Sequence, residues 1–77
     1  MTTEQLQGTI HAVPFVPFVL RLADGQRIAV NHPEFILHPP GHRTFVVWRE
    51  DQLFFQIVDL LLVVTVDVEV PQAAASS

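Results

Sequence analysis

Apolar and polar positions change period along this chain, first at helical spacing and then at strand spacing. Leu6, Ile10 and Val13 recur at intervals of three and four behind Thr2 and Gln5, a pair that fits a capping box. A short helix is therefore predicted over about residues 3–13, ended by Pro14. Gly8 and Thr9 lie inside it at up to about 1 kcal/mol each relative to alanine, so this helix depends on packing.

Beyond the prolines of Pro14-Phe15-Val16-Pro17, the period becomes two. Phe18, Leu20 and Leu22 share one face of a strand over 18–23, and Ile28 and Val30 continue that face after Asp24-Gly25. A two-residue turn would set Leu20 opposite Ala29 and mix the faces. A three-residue Ala23-Asp24-Gly25 loop with a left-handed Gly25 instead pairs Leu20 with Ile28 and Phe18 with Val30, leaving Arg21 opposite Arg27 on a solvated face.

Further short strands are predicted at Phe35–His38, Thr44–Arg49 and Leu53–Val58, separated by Pro39-Pro40-Gly41-His42 and Glu50-Asp51-Gln52. Asp59 is placed to cap one helical turn through Leu60-Leu61. Val63–Val70 then alternates, with Val64, Val66, Val68 and Val70 on one face and Thr65, Asp67 and Glu69 on the other.

A helix, five or six short antiparallel strands and a helical turn before the last predict a mainly β (α+β) domain over 1–70, an SH3-like or Sm-like small barrel. An open sheet with the helix on one face is the alternative. Residues 71–77 are read as a disordered tail. The strands Thr44–Arg49 and Leu53–Val58 are apolar on both faces. A small barrel has one inside, so the second face must meet the helix or a neighbouring subunit.

Composition sharpens that point. The 77-residue chain is 49% hydrophobic but only 16% charged, so it has core material in excess of the charge that normally covers a domain this small. The expectation is a homo-oligomer. With no cysteine there are no disulfides, thiolate metal sites or cysteine nucleophiles, which fits a reducing, cytoplasmic setting. The longest apolar run, Ile57–Val66, is interrupted by Asp59 and Thr65 and falls short of the about 20 residues that span a bilayer, so no membrane partner is expected. Arg21, Arg27, Arg43 and Arg49 face eight carboxylates for a net charge of −4, which disfavours nucleic acid as a partner.

Candidate chemistry is sparse. His32, His38 and His42 lie close in sequence with Glu34, and imidazole with carboxylate suits a transition metal, but their spacing is neither helical nor that of a tight loop pair. They are read as polar strand-end residues bonded to backbone, with a metal-dependent sensor or enzyme as the competing possibility. His32-Pro33-Glu34-Phe35 is read as a corner between strands anchored by Phe35. Serine occurs only at Ser76 and Ser77, and lysine and tyrosine are absent, leaving little to serve as an activated nucleophile. Neither a catalytic residue nor a cofactor is expected. Trp48, Phe54 and Phe55 offer a stacking or peptide-binding platform; core and subunit contact is the plainer use of the same residues.

At Pro14-Phe15-Val16-Pro17-Phe18, Leu22-Ala23-Asp24-Gly25-Gln26, Asn31-His32-Pro33-Glu34-Phe35 and Ile57–Val70, the chain resembles a group of short bacterial proteins of unknown function. The group's Asp-Gly-Arg becomes Asp24-Gly25-Gln26 here. A second resemblance, through element order alone, is to Sm-like proteins, which implies a ring that binds RNA. The reading that follows from the residues themselves is a noncatalytic, self-associating interaction or scaffold module.

Overall fold

The computed structural model describes residues 2–68; Glu69, Val70 and the segment 71–77 lie outside them. Helix α1 spans Thr3–Ile10 and is closed at its start by the expected capping box: the Thr2 hydroxyl accepts from the Gln5 amide and the Gln5 side chain accepts from the Thr2 amide. It stops three residues short of Val13, which is almost wholly exposed. Proline disfavours helix at the residue before it, and Leu6 and Ile10 already supply the buried contacts, so a further turn would bury nothing.

Six strands follow: β1 (Phe18–Leu22), β2 (Arg27–Val30), β3 (Ile36–Leu37), β4 (Thr44–Arg49), β5 (Phe54–Asp59) and β6 (Val63–Val68). They form two three-stranded antiparallel sheets, ordered β2-β1-β6 and β3-β4-β5. Hydrogen bonding among the described residues joins them into these two sheets and not into one closed ring.

The β1–β2 hairpin has the bulged register argued from its faces, with Phe18 opposite Val30, Leu20 opposite Ile28, and Gly25 at φ 93°. Asp24 braces the turn by accepting from the Gln26 backbone amide at 3.0 Å and from its side chain at 2.7 Å. Those two bonds, the backbone one first, hold the Asp24 carboxyl below its usual range.

Three local expectations are corrected. The segment read as a strand over Phe35–His38 is a 3₁₀ turn, Pro33–Phe35, followed by only two paired residues. Pro33 sits at the start of that turn, where its missing N–H costs nothing. Leu53 is not in a strand but closes the β4–β5 turn in the left-handed region, φ 59°, with its amide 2.7 Å from the Arg49 carbonyl.

In β6 the even-numbered valines do not share the core face throughout. Leu22 pairs with Val63 while Arg21 pairs with Thr65, so Val64 is an extra, bulged residue. Val63 is buried and Val64 is exposed. The preceding 3₁₀ turn, Leu60–Leu62, fixes this phase, because Leu60 and Val63 both enter the core there. Asp59 caps that turn as expected, accepting from the Leu61 amide at 2.9 Å.

One apolar cluster lies between the inner faces of the two sheets: Phe18, Leu20 and Ile28 from one, Phe45, Val47 and Val58 from the other, with Leu6 and Ile10 of α1 packed in. A second tie is polar. Gln7 donates through its side-chain nitrogen to the His38 carbonyl at 2.8 Å, which fixes that nitrogen as the neighbour of His38 Nδ1 at 2.7 Å. His38 Nδ1 therefore accepts, and its Nε2 donates to the His42 carbonyl at 2.7 Å. The imidazole is thus a buried strut between α1 and the loop after β3.

Candidate functional site

Register fixes which side chains share the outer face of the β3-β4-β5 sheet. Leu37, Val46 and Ile57 form one row across the three strands, and Trp48 pairs with Phe55 in the next. Thr44 and Asp59 make the row at the other end. Alternation along β4 sends Phe45 and Val47 inward and leaves these residues outward. Leu37, Phe55 and Ile57 are 66%, 69% and 74% exposed, so this face is apolar and uncovered. Helix α1 does not lie over it, since Leu6 and Ile10 are buried in the core on the other side of the sheet.

The outer face of the β2-β1-β6 sheet is mixed. Val19, Ala29 and the bulged Val64, 65% exposed, lie there among Arg21, Arg27, Thr65 and Asp67, and Arg21 meets Asp67 at 3.4 Å. That face is solvated in the ordinary way. The two sheets therefore share a core but differ outside.

Of the candidate aromatics, Trp48 and Phe55 come together, with ring centroids 4.9 Å apart in an edge-to-face arrangement. Phe54 does not join them. It pairs with Arg49 and so belongs to the opposite side of the sheet, where it is 44% exposed at the edge.

The histidines and Glu34 are not gathered. His38 has both ring nitrogens engaged by protein groups, His42 contributes its carbonyl to that bond, and His32 packs edge-on against Phe35 at 4.8 Å. Among the described residues no three His, Asp, Glu or Cys side chains stand close enough to hold a metal ion. Glu34 lies in the 3₁₀ turn beside His32.

Arginine is the residue type whose placement the sequence left open. Arg43 meets Asp59 at 3.1 Å, and Arg21 is held by Asp67. Arg49, only 7% exposed, spans between the sheets: Nη1 donates to the side-chain oxygens of Gln26 and Gln56 at 3.0 Å each, Nη2 to the Arg27 carbonyl at 3.3 Å, and Asp51 stands 3.4 Å away. The four cations thus lie on different parts of the fold and three are neutralised by carboxylates. A shallow depression lined by Val19, Arg27, Ala29, Asn31, Glu50 and Asp51 carries the remaining one, Arg27, beside two acids.

Strand parity alone marks Arg49 as inward-facing, in line with Phe45 and Val47; that signal was present in the sequence, but its hydrogen-bond partners come from two other segments. No helix among the described residues is long and apolar enough to cross a membrane. Comparison with models of protein families, with curated proteins and with solved structures returns no match, so the chemistry of its own surface is what speaks for its function.

Proposed function

We propose that this chain is a noncatalytic interaction module that associates with copies of itself through the outer face of the β3-β4-β5 sheet. One observation carries the reading: Leu37, Val46, Trp48, Phe55 and Ile57 form a continuous apolar face across three strands, while the other sheet carries ion-paired polar residues in the equivalent place. A contiguous apolar patch of this extent is on the scale of the largest that a typical monomer exposes, and such a patch is often functional. The element order, with a 3₁₀ turn before the last strand, supports an SH3-like or Sm-like small barrel as the scaffold that presents it.

The size of the face sets the strength of the contact. Three strands about 4.8 Å apart and six residues long at about 3.3 Å each give a footprint of at most about 300 Å². A stable interface takes about 800 Å² from each partner, so this face alone suits a weak, concentration-dependent complex. Sedimentation velocity between about 10 μM and about 1 mM is expected to show a shift from monomer to a larger species. A monomer across that range sinks the reading.

RNA binding by an Sm-like ring has less support, because Arg21, Arg43 and Arg49 are each engaged by a carboxylate and no cationic stripe results. A salt-dependent gel shift with single-stranded RNA would reverse that preference. A metal-dependent role for His32, Glu34, His38 and His42 has less support still, since both His38 ring nitrogens are used by the protein. Stabilisation against heat by added zinc is its test.

A further inference from the structure

We propose that Asp24-Gly25, at the tip of the β1–β2 hairpin, is a site of isoaspartate formation that the folded chain protects, with the Gln26 side chain as its guard. The tip belongs to the β2-β1-β6 sheet, and this chemistry is independent of self-association through the other one.

The reaction joins a side-chain carboxyl to the next main-chain nitrogen. The Gly25 nitrogen attacks Cγ of the protonated Asp24 carboxyl, a C–N bond forms, and the amide proton leaves with the carboxyl hydroxyl as water. Water then opens the imide ring. Addition at Cγ restores aspartate, whereas addition at the Asp24 main-chain carbonyl leaves the chain running through the side-chain carboxyl. One water is lost and one regained, nothing is oxidised, and the mass is unchanged. A side chain on the following residue crowds the attack, and Asp24 alone among the four aspartates precedes glycine; Asp51, Asp59 and Asp67 precede Gln52, Leu60 and Val68. A Cβ placed on Gly25 would meet nothing within 4 Å, so the tip is open on that side as well.

Hydrogen bonds at the tip oppose this closure. The Gln26 main-chain amide donates to Asp24 Oδ1 at 3.0 Å and the Gln26 side-chain nitrogen to Oδ2 at 2.7 Å, so both oxygens are engaged. They favour the carboxylate, the form from which water is not expelled. The Gly25 amide, the nucleophile, donates to the Leu22 carbonyl at 3.0 Å, which holds the plane of its peptide group. The Gln26 side chain is oriented from the far side. Its oxygen accepts from Arg49 Nη1 at 3.0 Å and from Gln56 Nε2 at 3.2 Å, and this turns its nitrogen toward Asp24. The buried Arg49 thus sets the guard at an exposed turn.

The same connection carries the consequence inward. An isoaspartyl linkage adds a methylene to the main chain between Leu22 and Gln26, the segment closed by the Leu22 amide donating to the Gln26 carbonyl at 2.9 Å. It also moves the carboxylate off the Gln26 side chain. The Gln26 end of the Arg49 network is then loosened, so chemical ageing of the tip reaches the junction between the two sheets.

The experiment incubates the full chain at mildly acidic pH, folded and in urea. Isoaspartate is read by peptide mapping, as a retention shift without change of mass, and by methylation with an isoaspartyl methyltransferase. Asp51, Asp59 and Asp67 serve as internal references. Conversion is expected at Asp24 alone, and faster in urea than in the folded chain. Gln26→Glu keeps an acceptor for Arg49 and Gln56 but has no donor for Asp24, and is expected to raise the folded rate about three- to tenfold. His38→Ala weakens the fold from the α1 side and is expected to leave the Asp24 rate unchanged well below its melting temperature. Circular dichroism checks that each variant folds.

No isoaspartate at residue 24 in urea overturns the site. Equal rates in the folded chain and in urea overturn its protection by the fold. A Gln26→Glu rate that matches the unaltered protein, or one that His38→Ala reproduces, overturns the role of Gln26 and assigns the protection to stability at large.

Discussion

Replacing Arg49 by alanine withdraws a buried guanidinium that joins three segments of the chain, and the structure allows its cost to be worked out. Two bonds of 3.0 Å, to Gln26 and Gln56, are the strongest that the group makes. A hydrogen bond to a charged group contributes about 1.5–3 kcal/mol, toward the lower end where the acceptor can turn to water, as the exposed Gln26 can. The 3.3 Å bond to the Arg27 carbonyl adds less. Asp51 is 66% exposed and 3.4 Å away, so that ion pair contributes about 0–1 kcal/mol.

Arg49→Ala is thus expected to cost about 3 kcal/mol, a large share of the about 4–12 kcal/mol that holds a chain of this length folded. Arg49→Lys keeps the charge but not the planar fork that reaches both glutamines, and is expected to cost about 2 kcal/mol. Urea denaturation followed by far-ultraviolet circular dichroism measures both. Alanine within about 0.5 kcal/mol of the unaltered protein, or lysine indistinguishable from it, would refute the view that this network joins the two sheets.

Leu53 adopts φ 59° while 73% exposed, so Leu53→Gly should relieve backbone strain and raise stability by about 1 kcal/mol, where an exposed leucine truncated elsewhere would be neutral or harmful; thermal melts decide. His38→Ala leaves the His42 carbonyl without its partner, leaves Gln7 only its bond to the backbone carbonyl of residue 38 and removes the edge contact with Phe45, with an expected loss of about 2 kcal/mol and earlier protease cleavage near α1. Asp24 has its folded pKa lowered, so its contribution is present above the ordinary carboxyl value of 3.8 and is lost as pH falls through the lower folded value. Asp24→Ala should therefore destabilise at pH 7 and converge with the unaltered protein below that window; an equal difference at both ends of a pH series of melts would show that the charge is irrelevant.

Much of the local structure was legible in the sequence because it is decided by neighbours in the chain. Thr2 with Gln5, Asp24-Gly25 between two apolar alternations, and Asp59 before three leucines each encode a cap or a turn through side chains that reach their own backbone. The β1–β2 register followed from keeping Phe18, Leu20, Ile28 and Val30 on one side. Strand parity likewise separated Val46, Trp48, Phe55 and Ile57 from Phe45, Val47 and Val58, so an apolar second face was foreseeable before any fold was known.

Contacts between distant segments were decided only by the tertiary structure. The end of α1 at Ile10 depends on how far the core extends, and the bulge at Val64 depends on Leu60 and Val63 both entering the core ahead of it. The partners of His38 and Arg49 come from segments remote in sequence, and no local pattern records which amide or carbonyl will stand opposite a buried ring or guanidinium. Alternation says that the β4–β5 face is apolar; only the position of α1, packed into the core, says that nothing within the described chain covers it.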